Sequence, residues 1–125
     1  MILVVEDHDD TRNALIKFLR EHEFVTIGAS DAVEALDLMR LKAPFLVILD
    51  WHLPDKSGLE VLWEMQKDSN LKNTPTIFYT GDGDPHLRDE ALKAGARKVL
   101  VKGSDWEKLV DEIAELTSVS PSQYS

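Results

Sequence analysis

The sequence predicts an α/β domain, an open and doubly wound three-layer sandwich built from five βα units. Three observations predict it. Five short runs rich in Val, Ile, Leu and Phe alternate with stretches whose apolar residues recur every three or four positions, as in strands joined by crossover helices. One of those runs, "FLVIL" at residues 45 to 49, is apolar without interruption, as expected of a strand covered on both faces. A chain of 125 residues with 43% hydrophobic content suits one domain with a sizeable core.

The elements follow in order. Ile2 to Val5 reads as the first strand, and Leu15, Phe18, Leu19 and His22 form the apolar stripe of the first helix. Phe24 to Ala29 reads as the second strand, followed by a helix with the stripe Ala32, Leu36 and Met39. Phe45 to Leu49 is the third strand. Its helix carries Leu59, Leu62 and Met65, and starts at a Ser-x-x-Glu capping box, Ser57 with Glu60. Thr76 to Thr80 is the fourth strand. Asp84 before Pro85 suits the start of the next helix, and Gly95 after "EALKA" its end. Lys98 to Val101 is the last strand, and Ser104 with Glu107 opens a helix striped by Trp106, Leu109, Ile113 and Leu116. "TSVSPSQYS" reads as a polar tail or the start of a linker.

Composition narrows the function classes. With no cysteine, a disulfide framework, a thiolate nucleophile and a cysteine-ligated zinc are excluded. A net charge of −9 without a segregated basic stripe disfavours direct contact with nucleic acid. No apolar run approaches the ~20 residues of a membrane helix, and "MILVVED" lacks the basic region of a leader peptide. The expectation is a soluble, cytoplasmic domain with no membrane contact, and Met1 reads as a true N-terminus.

In doubly wound sheets ligands bind beyond the carboxyl ends of the strands. Glu6 and Asp7 follow the first strand, Asp50 the third and Lys102 the fifth, while Thr80 ends the fourth. Each alone has an ordinary explanation as a capping, turn or surface residue; their convergence on one edge is what points to chemistry. Two carboxylates ~4 Å apart repel by about 4 kcal/mol at an effective dielectric near 20, so three of them call for a cation. Carboxylates suit Mg2+, a hard ion that works beside phosphate. A metal, a carboxylate nucleophile, a lysine and a hydroxyl make a site for moving a phosphoryl group onto an aspartate.

"ILVVEDHDD", "VILDWHLPDKSGLEVL", "PTIFYTG" and "AGARKVLVKGSD" together resemble the successive motifs of the receiver domain of two-component response regulators, of the chemotaxis-regulator kind, over nearly all of residues 2 to 116. The resemblance implies a flavodoxin-like (βα)5 fold with strand order 2-1-3-4-5, a receiver domain over residues 1 to 117, and a tail or linker from 118 to 125. It implies that Asp50 accepts a phosphoryl group from a histidine kinase or phosphotransfer protein. It further implies that Asp7, Asp50 and the main-chain carbonyl of His52 hold Mg2+, with Glu6 acting through water. Lys102 would pair with the acceptor carboxylate and later with a phosphoryl oxygen, and Thr80 would turn toward the phosphoryl group. Such a domain signals by changing contacts with a downstream protein, a homodimer partner among them, and catalyses only its own phosphorylation and dephosphorylation. Arg88, Lys93, Lys98 and Lys108 are candidates for partner contacts. The chain is either a stand-alone receiver or part of a longer regulator or hybrid kinase.

This chain departs from the motif at two places. Gly103 follows Lys102 where the family usually has proline after a cis bond; a trans bond or a rearranged loop is expected, since a non-proline cis bond costs roughly 2.5–4 kcal/mol. Val99 replaces an aromatic that changes rotamer in the family, and a β-branched side chain cannot do so. Output then falls to the loop after Thr80 and the fourth helix. His52 and Asp82 lie where side chains influence phosphoaspartate lifetime. His8 raises a transition-metal reading, since imidazole suits zinc or nickel; adjacent residues on a strand or turn are expected to point different ways and no second histidine has helical ligand spacing to it, which argue against a native transition-metal site. Trp51 and Trp63 read as rim and core residues.

Rival readings are a degenerate receiver acting as a phosphorylation-independent interaction module, a phosphohydrolase and a flavin-binding protein. Retention of Glu6, Asp7, Asp50, Thr80 and Lys102 argues against the first. The haloacid-dehalogenase pattern needs an acid where His52 stands. The acidic loop "EDHDDTR" is unsuited to cradling a flavin phosphate.

Overall fold

The computed structural model describes residues 1–81, 83–103 and 106–117. The expected cap Ser104, Asp82 and the tail from 118 to 125 lie outside the described residues. Elements run β1 (Ile2–Val5), α1 (Asp9–Glu21), β2 (Thr26–Ala29), α2 (Ala32–Lys42), β3 (Leu46–Leu49), α3 (Gly58–Lys67), β4 (Thr76–Thr80), α4 (Pro85–Lys93), β5 (Lys98–Val101) and α5 (Trp106–Thr117). The strands form one parallel sheet in the order β2-β1-β3-β4-β5, the expected 2-1-3-4-5.

Alternation along each strand divides the core into two layers. Leu3, Val5, Val47, Leu49 and Phe78 pack with Leu36, Met39, Leu62, Met65 and Ala91 from α2, α3 and α4. Ile2, Val4, Leu46, Ile48, Ile77 and Tyr79 pack with Leu15 and Leu19 of α1 and Leu109 and Ile113 of α5. Trp106 closes the second layer, donating its indole N–H to the Tyr79 hydroxyl at 2.5 Å and stacking obliquely on Phe18, 5.0 Å between ring centres. The helical stripes therefore face the sheet as their spacing predicts. Among the described helices none is long and apolar enough to cross a membrane.

Helix ends follow the chemistry of their residues. Ser57 Oγ accepts from the Glu60 N–H, and Asp84 accepts from the His86 N–H ahead of a helix that opens on Pro85. Gly95 sits at φ +114, the left-handed region, just past α4.

β2 begins at Thr26, two residues later than the apolar run suggests. Glu23 turns the chain at φ +68, and the Phe24 N–H closes α1 by donating to the Leu19 carbonyl at 3.1 Å. Phe24 is thus buried as the hydrophobic end of the helix rather than as part of the ladder.

Candidate functional site

The parallel ladder carries β1, β3 and β5 one bond past their ends, and those bonds fix the site's backbone. The Glu6 N–H donates to Ala29 of β2, the Asp50 N–H to Val5 of β1, and the Lys102 N–H to Thr80 of β4 at 2.7 Å. Residues far apart in sequence are thereby set on one sheet edge by rigid neighbours.

Asp50 and Glu6 are buried, 5% and 3% exposed, and Thr80 at the end of β4 is buried as well. Lys102 reaches across and joins both carboxylates: its Nζ donates to Asp50 Oδ2 at 3.0 Å and to Glu6 Oε1. Sequence reasoning expected the Asp50 contact; the direct bond to Glu6 is additional. A cavity of about 500 Å³ opens above them, lined by Asp7, His8, Asp50, His52, Gly81, Gly83 and Lys102. Thr80 ends β4, immediately before the lining residue Gly81.

Electrostatics follow from the crowding. Burial pushes the Glu6 carboxyl above its usual range, and the neighbouring carboxyls of Asp50 and Asp7 push the same way, against the opposing pull of Lys102. Burial alone would lower the Lys102 ammonium, but its bonds to Glu6 and Asp50 and the attraction of both carboxylates outweigh that and raise it. One lysine thus faces the carboxylates of Glu6, Asp7 and Asp50. The donor set fits a divalent hard cation, which neutralises what a single ammonium cannot.

Three supports were not read from the sequence. Gly58 lets α3 approach the acceptor: a Cβ there would stand 2.3 Å from the Asp50 carbonyl oxygen and 2.8 Å from the Phe78 ring, while its N–H donates to Trp51 at 2.6 Å. Asp55 accepts from the Ala32 and Val33 N–H groups at 2.9 and 3.0 Å, tying the loop after β3 to the start of α2. Burial pushes its carboxyl up, but the backbone N–H donors of Ala32, Val33, Asp55 and Lys56 together outweigh that and hold it below the usual range. Arg12 donates to the Glu6 carbonyl at 2.9 Å and to Asp9 at 2.6 Å, bracing the loop after β1.

The departures also take shape. No cis peptide occurs among the described residues, so Lys102–Gly103 is trans, and Gly103 sits at φ +91, which a proline ring cannot adopt. Val99 is half-buried against the layer formed by α2, α3 and α4, beside Phe78 in the ladder. Trp51 is buried and meets Phe78 at 5.4 Å, whereas Trp63 is half exposed. Lys98, one of the cations expected for partner contacts, is paired with Glu112 at 3.5 Å. His8 stands in the loop past β1, and single ligand atoms of Glu6, Asp7 and His8 lie within 4.8 Å of one another, nearer than residues expected to point different ways.

A family model described as "Response regulator receiver domain" matches residues 2–114. The chain is similar to the phosphate regulon transcriptional regulatory protein PhoB of Escherichia coli, 30% identical over 96% of this chain and 53% of the relative. It is also similar to the response regulator RppA of Synechocystis, 33% identical over 96% of this chain and 51% of the relative. The chain therefore spans about half the length of these curated relatives. Among solved structures, the response regulator TrrA of Thermotoga maritima, in complex with Mg2+-BeF, superposes with a TM-score of 0.82 at 32% identity, covering 92% of this chain and 96% of that one.

Proposed function

Because the chain belongs to the response regulator receiver domain family, we propose that it accepts a phosphoryl group on Asp50 and signals through the contacts this changes. Receiver domains are signalling domains of two-component systems rather than enzymes acting on a separate substrate. The observation that carries the reading is the meeting of Asp7, Asp50 and Lys102 on one cavity at the carboxyl edge of the sheet.

The donor is a phosphohistidine on a histidine kinase or phosphotransfer protein. An Asp50 carboxylate oxygen attacks phosphorus; the O–P bond forms, the P–N bond breaks, and the departing imidazole nitrogen keeps its electron pair and takes up a proton. Lys102, already on the Asp50 carboxylate, moves its hydrogen bonding to a phosphoryl oxygen and leaves the pair with Glu6 as an anchor. Asp7, Asp50 and the main-chain carbonyl of His52 would hold Mg2+, with Glu6 acting through water, and the ion would supply positive charge beside the transferring phosphoryl oxygens. The burial of Asp50 on a strand end keeps the nucleophile fixed.

The Thr80 hydroxyl turns toward the new phosphoryl group, and the Lys102 N–H bonded to its carbonyl ties this shift to the end of β5. Since Val99 has no ring to swing, the change leaves through residues 81 to 95 and α4 toward a downstream protein or a second copy of the domain. The donor kinase domain is cytoplasmic in this reading, and so is the receiver, which we place at residues 1 to 117. Amide chemical shifts with Mg2+ and beryllium fluoride, an acyl-phosphate mimic, test the switch. Shifts at Asp50 that spread through residues 81 to 95 are expected; shifts confined to Asp50, or none, contradict it.

A further inference from the structure

We propose that Arg12 is a positioning residue for the acidic pocket: by holding the Glu6 carbonyl it fixes the peptide plane from which Asp7 departs, and so sets how well the pocket takes Mg2+. The inference rests on the proposed reading of this pocket as a Mg2+ site and adds a residue that acts on it through the backbone.

The parallel ladder runs out at this point. The Glu6 N–H still donates to Ala29 at 3.0 Å, and the register from Ile2↔Thr26 to Val5↔Ala29 puts the next donor from that side at residue 31. β2 has ended by then, and Asp31 is engaged at the start of α2, its carboxylate accepting from the Glu34 N–H at 2.8 Å. Arg12 supplies the donor instead. Its Nη1 donates to the Glu6 carbonyl at 2.9 Å and its Nη2 to Asp9 Oδ1 at 2.6 Å. The Glu6 carbonyl and the Asp7 N–H belong to one planar peptide unit, so a held oxygen fixes the direction in which the Asp7 Cα leaves the strand end. The Asp7 side chain is 37% exposed and takes its aim from that backbone.

Burial tells which of the two Arg12 contacts matters. The Arg12 side chain is 16% exposed and that of Asp9 79%. A pair with Asp9 alone could form at the surface, where it contributes little; the burial of the arginine is offset at the carbonyl, where a bond from an ionised donor is stronger than a neutral one. Gly28 opens the route. A Cβ there would stand 3.0 and 3.3 Å from Arg12 Cδ and Cγ and 2.7 Å from Ile16 Cδ1, so the arginine stem lies against the bare backbone of β2. Among the described residues Asp7 and Asp50 line the cavity and Arg12 does not. Arg12 therefore places Asp7 without entering the space the cation would take.

The test uses Arg12→Met, which keeps an apolar stem over Gly28 and removes the donors, Gly28→Ala, which displaces the same stem, and Asp9→Asn, which leaves the carbonyl contact. Far-UV circular dichroism confirms each fold. In metal-free protein the Glu6 carbonyl carbon and Asp7 amide resonances should move in Arg12→Met and Gly28→Ala, and much less in Asp9→Asn. Calorimetric titration should show the Mg2+ affinity of the first two about tenfold or more below wild type and that of Asp9→Asn within about twofold of it. Labelling by acetyl phosphate should return to nearly the wild-type rate at saturating Mg2+.

Folded Arg12→Met that binds Mg2+ as the wild type does overturns this inference alone, since a brace of purely structural value leaves the affinity of folded protein unchanged; should that variant not fold, Gly28→Ala decides in the same way. An equal loss in Asp9→Asn overturns it by assigning the effect to the surface pair, and labelling that stays slow at saturating Mg2+ overturns it by placing the effect on Asp50. Wild-type protein that does not bind Mg2+ overturns the cation reading of the pocket as well.

Discussion

Asp50 and Lys102, 52 positions apart, meet at 3.0 Å across the carboxyl edge of the sheet, the lysine arriving from a backbone bonded to Thr80. The same ammonium holds Glu6, so its removal strands two buried carboxylates together. A fully buried pair broken on one side costs about 3–5 kcal/mol; the Lys102 side chain is 26% exposed, which lowers the expected loss to about 1–2 kcal/mol. Lys102→Met should lose that much in urea unfolding without metal, regain much of it with saturating Mg2+, and accept phosphoryl groups far more slowly. A variant as stable as the wild type without metal would show that the pair contributes nothing.

The raised Glu6 carboxyl gives a pH dependence with a definite sign. A carboxyl raised in the fold adds stability that is complete below its ordinary value of 4.5 and is lost as pH rises through the raised value. Lys102, raised above 10.5, contributes evenly throughout the acidic and neutral range and loses its contribution only at more alkaline pH. In metal-free protein the stability of wild type relative to Glu6→Gln should therefore increase as pH falls from neutral toward 4.5. Urea midpoints at several pH values check this; a difference that shrinks on acidification contradicts it.

Gly58→Ala should disturb the site from beneath. Its Cβ would meet the Asp50 carbonyl oxygen, which is backbone and cannot swing aside. Overpacking of this kind costs about 1–3 kcal/mol, and here the displaced atom belongs to the acceptor residue. Thermal unfolding should show the loss and phosphorylation should slow with it. Full activity in a folded variant would mean that α3 can retreat without moving Asp50.

Asp55→Ala is the contrasting case. It frees two N–H groups at the start of α2, a capping loss of about 0.5–2 kcal/mol, yet the Asp55 carboxylate accepts from the Ala32, Val33 and Lys56 N–H groups rather than from Lys102. Stability should fall while the extent of Mg2+-dependent phosphorylation is retained, as denaturant titration and phosphoryl incorporation will show.

What could be read from the chain and what could not follow a physical division. Asp50 and Lys102 end apolar strands, so a parallel sheet places them on one edge wherever the helices fall. The stripes of α3 and α5 faced the core for the same reason, since local period fixes the buried face. Phe24 misled because an apolar residue can close a helix as readily as open a strand, and only the bond to Leu19 decides. Asp55 carries no local signal, its partners Ala32 and Val33 lying 22 to 23 positions earlier. The direct bond from Lys102 to Glu6 depends on a side-chain reach that spacing does not encode.

The most direct test of the central claim is intact mass after incubation with acetyl phosphate, with and without Mg2+, for the wild type and Asp50→Asn. The account predicts the gain of one phosphoryl group by the wild type with Mg2+ and no gain by Asp50→Asn under the same conditions. A gain that survives in folded Asp50→Asn, or that is indifferent to Mg2+, would contradict Asp50 as the metal-assisted acceptor.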